Sequence, residues 1–388
     1  MRKFKKIVLI VMDSLGVGEA KDAVKYNDLG AFTLKHIIDK YPNLKMPNLE
    51  KLGMKYFLGE KTNPAGIVLK LEEESVGKDT LTGHFEMMGL YVNKPFPSFT
   101  DTGFPIELIK KLEDYSGRKV IGNLSASGTE IIKDLGEEQL KTGALIVYTS
   151  ADSVLQIAAN EEIIPLDELY DICSYARKIT LENPKWMVGR VIARPYIGKT
   201  KDTFVRTTNR HDYAVKPFSK TCLNILSENG FDTIAIGKIN DIFDGYGITK
   251  FAKTKSNEDG MDKTIDFMKT DFEGLIFTNL VDFDALYGHR RDPIGYGMAI
   301  ERFDEKLGLL LNDLEDDTLV MITADHGNDP IHHGTDHTRE NVPLIIYYNN
   351  CMGKILPNEK SFSVIASTIL DNFSLPQIKN KKSLLGDL

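Results

Sequence analysis

The sequence predicts an α/β fold in which a mainly parallel sheet is covered by helices on both faces. Seven short apolar runs are typical of strands that are buried on both faces, as the inner strands of a parallel sheet are. Helical periods alternate with these runs, and the clearest has apolar residues at successive spacings of 4, 4, 3 and 4. An alternation of strand, helix and strand indicates an α/β domain.

The individual elements follow from these two patterns. The predicted strands are Ile7–Val11, Leu145–Thr149, Val188–Ala193, Thr233–Ile236, Leu275–Leu280, Leu319–Thr323 and Leu344–Tyr348. The helical face that precedes the sixth of them consists of Ala299, Phe303, Leu307, Leu310 and Leu314. Because these residues recur on one side of a helix, we expect that helix to pack on the sheet.

Length and composition narrow the class of protein. A chain of 388 residues has room for two or three domains, and 42% apolar with 27% charged residues is ordinary for a globular protein. The net charge of −8 argues against a nucleic-acid partner, since such proteins usually carry a basic surface. Three widely spaced cysteines without a CxxC motif predict reduced thiols rather than a disulfide framework.

The amino-terminal segment imitates a secretory signal but is too short to be one. Its apolar run, Ile7–Met12, ends at Asp13 after six residues, whereas a signal needs about 7 to 15. No stretch approaches the roughly 20 apolar residues that span a bilayer. We therefore expect a cytoplasmic protein with no membrane partner.

The charge is distributed unevenly along the chain. Residues 177–220 contain 11 Lys and Arg against 3 Asp and Glu, a local net charge of +8. Proline-containing stretches at Pro95–Pro105 and near Pro217 are candidate hinges of an inserted domain. A basic insert in an acidic chain favours an anionic ligand, although a solvated face with ordinary ion pairs is an equally good interpretation of charge alone.

Several potential metal ligands lie in four segments just beyond the ends of predicted strands. They are Asp13, Asp284, His289, Asp325, His326 and His337. Each one alone is more typical of a turn, a helix cap or a structural histidine. In open α/β sheets, however, ligands bind beyond the carboxyl ends of the strands, so these residues are expected to converge on one site.

Three carboxylates and three imidazoles without cysteine suit two divalent ions, and Mn²⁺, Zn²⁺ and Mg²⁺ are all chemically possible. Two such ions can bind both the attacking and the leaving oxygen of a phosphoryl transfer. The best candidate nucleophile lies in the polar segment Gly77–His84, before a predicted helix start. The alternative is that Asp79, Thr80 or Thr82 only caps that helix.

The order of these residues resembles the alkaline phosphatase superfamily and, within it, the bacterial phosphopentomutase family. The resemblance covers nearly the whole chain. Its motifs are Gly77–His84, Ala126–Ile131, Tyr148–Ser153, Gly189–Pro195, Asn209–Tyr213, Asn279–Asp284 and Gly334–Glu340.

The resemblance implies an alkaline-phosphatase-like core of residues 1–94 and 216–388, with a smaller α/β cap domain inserted at 95–215. It implies one Mn²⁺ bound by Asp13, Asp325 and His326, with Thr80 alongside as the residue that carries phosphate. A second Mn²⁺ would be bound by Asp284, His289 and His337. The implied substrate-binding residues are Asp152, Arg190, Arg206 and Lys238.

The implied activity is the interconversion of ribose 1-phosphate and ribose 5-phosphate, and of the 2-deoxyribose pair, in nucleoside catabolism. It would proceed through a phosphorylated enzyme primed by a sugar bisphosphate such as glucose 1,6-bisphosphate, in a chain expected to be a monomer. Two alternatives stay open: a phosphomonoesterase or phosphoglycerate mutase of the same superfamily, and a binding protein with structural metals. The sequence assigns no role to His332 and His333 and no preference between ribose and deoxyribose.

Overall fold

A computed structural model describes residues 3–150, 153–378 and 382–388. The chain divides into two compact units, which we call the core unit (Met1–Lys94 with Pro217–Leu388) and the inserted unit (Pro95–Lys216). Within the described ranges, no helix combines the length and the apolar composition needed to cross a membrane.

The strands, in chain order, are β1 (Lys6–Met12), β2 (Ile67–Leu71), β3 (Val120–Ser125), β4 (Leu145–Thr149), β5 (Val154–Asn160), β6 (Arg190–Ile197), β7 (Val205–Arg206), β8 (His211–Ala214), β9 (Asp232–Ile236), β10 (Lys250–Ala252), β11 (Gly274–Leu280), β12 (Thr318–Thr323), β13 (Val342–Tyr347) and β14 (Lys354–Ile355).

The α-helices are α1 (Thr33–Lys40), α2 (Pro47–Leu52), α3 (Thr80–Met87), α4 (Ile106–Ser116), α5 (Gly128–Thr142), α6 (Leu166–Glu182), α7 (Cys222–Glu228), α8 (Ile239–Ile242), α9 (Asn257–Met268), α10 (Pro293–Asn312) and α11 (Val364–Asn372). Short 3₁₀ helices occupy Ala23–Tyr26, Met54–Leu58 and Leu385–Asp387, and a π-helix occupies Phe283–Gly288.

The core unit contains an eight-stranded sheet in the order β10-β9-β11-β1-β12-β13-β2-β14. The five strands from β10 to β12 are parallel. Every residue of β1, β11 and β12 is buried, which requires cover on both faces of the sheet. The predicted α/β fold with a mainly parallel sheet is therefore confirmed.

The predicted elements differ from the observed ones in two respects. Strand β13, predicted as Leu344–Tyr348, is antiparallel to both of its neighbours, because a continuous apolar run carries no information on direction. The prediction also missed seven strands: β2, β3 and β5, and the short strands β7, β8, β10 and β14. The predicted helix face is confirmed in α10, where Ala299, Phe303, Leu307 and Leu310 are buried, and buried Leu314 follows just after the helix ends.

The inserted unit has its own sheet, in the order β3-β4-β5-β6-β7, with β8 paired to β6. One apolar cluster joins this sheet to α4 and α6, and a second joins it to α5 through residues such as Ile131 and Ile146. Two separate clusters that share one sheet make this unit a three-layer α/β arrangement.

Candidate metal centre

Three adjacent parallel strands deliver the predicted ligands to one edge of the core sheet. Asp13 directly follows β1, and Asp325 and His326 follow β12. The register places Val11 beside Thr323 and Met12 beside Leu280, so the three strands end at the same level. The segment after β11 therefore begins next to Asp13, as the fold class predicts.

The first ligand group consists of Asp13, Asp325 and His326. Its ligand atoms all lie within 4.8 Å of one another. His326 Nε2 is 3.5 Å from Asp13 Oδ1 and 3.3 Å from Asp325 Oδ2. His326 Nδ1 lies 3.0 Å from the carbonyl oxygen of Gly327, and donation to that oxygen leaves the Nε2 lone pair facing the carboxylates.

Each carboxylate of this group has one bonded and one unbonded oxygen. Asn279 Nδ2 donates to Asp13 Oδ2 at 2.9 Å, and the amide of Ser14 donates to Asp325 Oδ1 at 3.0 Å. Among residues 3–150, 153–378 and 382–388, Asp13 Oδ1 and Asp325 Oδ2 have no hydrogen-bond partner. Two buried carboxylate oxygens without a donor are costly unless a cation binds them, so this group fits a divalent ion.

The second ligand group consists of Asp284, His289 and His337. Asp284 lies in the π-helix, and the amide of His289 donates to the Asp284 carbonyl at 3.0 Å. This hydrogen bond joins residues five positions apart, as is typical of a π-helix. This wider turn brings the two side chains together: His289 Nε2 is 3.2 Å from Asp284 Oδ2. His337 Nε2 is 3.5 Å from Asp284 Oδ1 and 3.1 Å from His289 Nε2.

His326 joins the two ligand groups. The ligand atoms of Asp284, His326 and His337 also lie within 4.8 Å of one another, and the rings of His326 and His337 stack with centroids 4.0 Å apart. The sequence-based hypothesis placed His326 beside one ion only. The six predicted ligands thus form one continuous centre, and their nitrogen and oxygen donors fit two divalent ions.

The charges of the centre interact strongly. Burial and the neighbouring Asp325 and Asp284 carboxylates raise the pKa of Asp13 well above its ordinary value. Burial alone would also raise the pKa of Asp325, but His326 and His84 lower it to about 2. Burial lowers the pKa of His326, which favours the neutral imidazole that a metal requires.

The pKa of Asp284 responds to the same opposing effects. Burial would raise it, but the imidazoles of His337 and His289 lower the pKa of this carboxyl well below its usual range. Asp284 is therefore a carboxylate at neutral pH, which is the form that binds a cation.

Thr80 is the first residue of α3 and is buried against the first ligand group. Its Oγ1 lies 3.2 Å from His326 Nε2. Asp79 caps the helix instead, because its Oδ1 accepts from the Thr82 amide at 3.1 Å and its Oδ2 accepts from Thr82 Oγ1 at 2.7 Å. The cap leaves the Thr80 hydroxyl available to the metal centre.

Close packing places α3 against the metal ligands. A Cβ on Gly83 would lie 2.1 Å from the carbonyl oxygen of Asp325, so only glycine allows this approach. Helix α3 and the segment after β12 therefore touch through backbone atoms. The distance between Thr80 and His326 depends on this contact.

Comparison with known proteins identifies the family to which the chain belongs. The family model described as the Metalloenzyme superfamily matches residues 5–377. The chain belongs to the metalloenzyme superfamily. The alkaline-phosphatase-like α/β fold of its members is the predicted fold, which is confirmed over the whole chain.

Two solved structures similar to this metalloenzyme show how widely the fold is shared. The PH0037 protein from Pyrococcus horikoshii is 14% identical, with 99% of this chain and 100% of that chain covered and a TM-score of 0.50. A phosphoglycerate mutase from Leishmania mexicana, solved at low cobalt concentration, is 13% identical, with 99% and 97% covered and a TM-score of 0.50. At these identities the similarity establishes the fold alone.

The sequence prediction missed three polar residues of the metalloenzyme centre: His84, Asn279 and Asn328. His84 Nδ1 lies 2.8 Å from the Thr80 carbonyl and 3.2 Å from Asp325 Oδ2, and Asn328 Nδ2 donates to Asp284 Oδ1 at 2.7 Å. His84 and Asn279 end or begin motifs that carried the family resemblance, so a signal existed for them. Asn328 lay outside those motifs.

The predicted substrate-binding residues are distributed over both units. In the core unit, Lys238 lies close enough to Asp13 for its charge to offset part of the rise in the Asp13 pKa. In the inserted unit, Arg190 begins β6, where Nη1 is 3.7 Å from Asp212 Oδ2, and Arg206 ends β7. Asp152 lies outside the described residues.

His332 and His333 lie on the loop that leads to His337. Their rings pack with centroids 4.2 Å apart, and the His333 Nε2 atom is 2.7 Å from the carbonyl oxygen of Asn27. Neither belongs to the ligand groups found among the described residues.

Proposed function

We propose that this metalloenzyme is a phosphopentomutase that interconverts ribose 1-phosphate and ribose 5-phosphate, and the 2-deoxyribose pair, through phosphothreonine at Thr80. The observation that supports the proposal is the position of the Thr80 hydroxyl, 3.2 Å from His326 in a cluster of predicted metal ligands. We further propose Mn²⁺ as the metal and a sugar bisphosphate such as glucose 1,6-bisphosphate as the primer.

The surroundings of Thr80 support a nucleophilic role. An alcohol is a weak nucleophile at its ordinary pKa. Divalent ions bound by the two ligand groups would lower that pKa and neutralise the charge that develops on the phosphoryl oxygens. Thr80 Oγ1 lies 3.2 Å from His326 Nε2, so the hydroxyl oxygen is next to the nitrogen that would bind a metal ion.

The start of α3 also supports a phosphorylated Thr80. The amides of the first helical turn have no acceptor within the helix, and the amide end of a helix favours a negative charge. A phosphoryl group on Oγ1 of Thr80 would lie beside the amides of Thr80 and Leu81. Asp79 already occupies the Thr82 amide, which fixes the orientation of this turn.

The proposed reaction has two balanced transfers. In the first, the bond between phosphorus and Thr80 Oγ1 breaks, a bond to O5 of ribose 1-phosphate forms, and the O5 hydroxyl loses its proton. In the second, Thr80 Oγ1 attacks the phosphorus on O1, the bond to O1 breaks, and O1 takes up a proton. Ribose 5-phosphate and phosphorylated Thr80 result. The bisphosphate must turn over between the two transfers.

We propose that Arg190, Arg206 and Lys238 bind the phosphate groups of the sugar, and that Asp152 binds its hydroxyl groups. Arginine is well suited to phosphate because its planar guanidinium donates two parallel hydrogen bonds. This role would explain the excess of positive charge in residues 177–220.

The test is a coupled assay of ribose 5-phosphate formation from ribose 1-phosphate, with and without Mn²⁺ and glucose 1,6-bisphosphate. We expect activity only when Mn²⁺ is present, stimulation by the bisphosphate, and a phosphorylated Thr80 peptide by mass spectrometry. Thr80→Ala should abolish both the activity and the phosphopeptide.

Thr82→Ala is the matched control, because this threonine lies two residues away and bonds to Asp79 rather than to His326. It should retain a phosphorylated Thr80. Full mutase activity in Thr80→Ala would refute the assignment of the nucleophile. Net release of inorganic phosphate without ribose 5-phosphate would show a phosphomonoesterase instead.

A further inference from the structure

Arg291 binds the loop that carries His337. Its Nε donates to the carbonyl oxygen of Gly334 at 2.6 Å, and its Nη2 donates to that of Asp336 at 3.2 Å. Its Nη1 donates to the carbonyl oxygen of Asp329 at 2.6 Å and to Asn328 Oδ1 at 2.9 Å. One guanidinium therefore joins four acceptors of a single loop, which a lysine ammonium cannot match in geometry.

Two of these bonds flank the residue that orients His289. The carbonyl oxygens of Gly334 and Asp336 lie on either side of Thr335 in the chain, and the Thr335 carbonyl is 2.9 Å from His289 Nδ1. Donation from Nδ1 to this carbonyl leaves the His289 Nε2 lone pair for a metal. By holding both neighbours of Thr335, Arg291 sets the ring orientation and the tautomer of His289.

A third bond orients Asp284. Asn328 is fully buried, and its Oδ1 accepts from Arg291, so its Nδ2 must face Asp284 Oδ1, which is 2.7 Å away. A flipped amide would direct its hydrogens at the guanidinium. Asp284 Oδ2 is left facing His289. The Asn328 amide is thus hydrogen-bonded to Arg291 on one side and to the Asp284 carboxylate on the other, so the position of Arg291 determines the orientation of that carboxylate.

The backbone of Arg291 indicates that its side chain is needed at this position. Its φ of 56° lies in the left-handed region, where glycine and asparagine are favoured and an arginine is unusual. The chain reverses direction there, with the Arg291 amide bonded to the Gly288 carbonyl at 3.1 Å. Glycine or asparagine would suit this turn better but would lose all four bonds of the guanidinium.

We propose that Arg291 is the positioning residue of the second ligand group: its guanidinium arranges Asp284, His289 and His337 so that a divalent ion binds there. Metal binding by this group does not depend on the proposed mutase activity. If the proposed function is correct, Arg291 also supports phosphoryl transfer at Thr80, and this second statement rests on the proposed function.

In the experiment, the metal-free full-length chain is titrated with Mn²⁺. Calorimetry and electron paramagnetic resonance of the free ion then give the number of bound ions and their affinities. Wild type should bind two equivalents. Arg291→Met should keep one tight equivalent and bind the second about 10- to 100-fold more weakly, the usual effect of removing a residue that orients metal ligands. Arg291→Gly, which relieves the backbone, should show the same selective loss.

The matched control is Arg302→Met. This arginine is also half-buried and contacts the π-helix through Tyr287, but its other partner is Glu258 rather than the loop. It should bind both equivalents as wild type does. If Arg291→Met does not fold, Arg291→Lys provides the measurement, with a smaller loss of the second equivalent.

A second readout reports on His289 directly. Nitrogen-15 spectra of the metal-free protein should show His289 as a single tautomer protonated at Nδ1 in wild type and as a mixture in Arg291→Gly. The proposal would be overturned if the Arg291 variants bound both Mn²⁺ equivalents as wild type does, or if both equivalents were weakened equally. It would also be overturned if Arg302→Met weakened the second equivalent as much as Arg291→Met does. These results are independent of mutase activity, so failure of one proposal is distinguishable from failure of the other.

Discussion

The two ligand groups of the metal centre are built in different ways. Asp13 and Asp325 follow adjacent parallel strands whose register aligns their ends, and both side chains are fully buried. His289 and His337 come from a π-helix end and a loop, and the His289 side chain is 28% exposed. Sheet hydrogen bonds position the first group, whereas side-chain bonds from Arg291 and Asn328 position the second.

We infer from this difference that the first ligand group is the more rigid half of the metal centre and the second group the more adjustable half. Strand ends within a parallel sheet move little, because each strand is bonded to two neighbours. A loop is positioned by fewer bonds and opens at a lower cost in free energy. Thr80, the proposed nucleophile, lies against the first ligand group, so we expect this group to be more sensitive to substitution than the second.

The largest expected effect comes from replacing one ligand in each group. Asp325→Asn should lower kcat/KM for ribose 1-phosphate by at least about 10³-fold, because the substitution removes a charge that binds the metal next to Thr80. His289→Asn should cost about 10- to 100-fold, since the loop can readjust. Equal losses in steady-state assays at saturating Mn²⁺ would contradict the distinction between the groups.

The next effect is a dependence of stability on pH that arises at Glu340, close in sequence to the metal ligand His337. Glu340 is buried, and it accepts hydrogen bonds from Thr33 Oγ1 at 2.6 Å and from Thr338 Oγ1, next to His337, at 2.7 Å. Burial raises the pKa of Glu340 to about 7 from an ordinary value of 4.5. The folded state therefore retains a proton that the unfolded state loses.

The stabilisation from this proton is complete below pH 4.5 and is lost as the pH rises through about 7. It amounts to a contribution on the order of 3 kcal/mol. Glu340→Gln should flatten the dependence of the free energy of unfolding on pH across this range, as measured by urea denaturation of the metal-free protein. Substitution of the exposed Glu305 on α10 is the control, and an unchanged slope in Glu340→Gln would exclude this role.

A smaller effect is expected from the contact between α3 and the first ligand group. Gly83→Ala would place a methyl group against the Asp325 carbonyl, so α3 must shift and the protein should lose about 1–3 kcal/mol of stability. Mutase activity should fall as Thr80 moves from His326. In the control Gly386→Ala, the added methyl group would meet no other atom within 4 Å, and stability should be retained. Thermal unfolding and the coupled assay compare the two variants.

The smallest effect is a difference in metal release. When the Mn²⁺-loaded protein is titrated with a chelator, one ion should leave about tenfold more readily than the other, and it should be the ion of the second group. Spectra of the released Mn²⁺ follow both phases. The early phase should be missing in His289→Asn, and a single phase in wild type would show that the two groups do not differ.

Sequence reasoning was most successful where a strand leads directly into a ligand. Asp13 and Asp325 follow apolar runs without an intervening segment, so the fold class alone predicts that they approach each other. Helix α10 was equally easy to predict from the sequence, because recognising apolar residues at helical spacing requires no knowledge of distant residues. These predictions depended on local pattern and one general rule about parallel sheets.

The remaining features depend on contacts between distant parts of the chain. Asn279 and Asp13 are 266 positions apart, and no local pattern shows that the amide of one bonds to the carboxylate of the other. The pairing of Asp284 with His289 is difficult to predict for a different reason, because residues five apart do not share a face of an α-helix. The rule about strand ends predicted that both approach one site, but it did not show that they face each other, because the sequence does not reveal a π-helix.

The π-helix affects how the centre responds to a deletion in the chain. Asp284 and His289 face each other because five peptide steps complete one turn there. Removing one residue between them, such as the exposed Leu286, would restore an ordinary α-helical turn in which the two ligands stand four apart, and residues four apart also share a face of a helix. The pairing of these two ligands therefore tolerates the loss of one residue from this segment, because a spacing of five in a π-helix and a spacing of four in an α-helix both place the two side chains on one face.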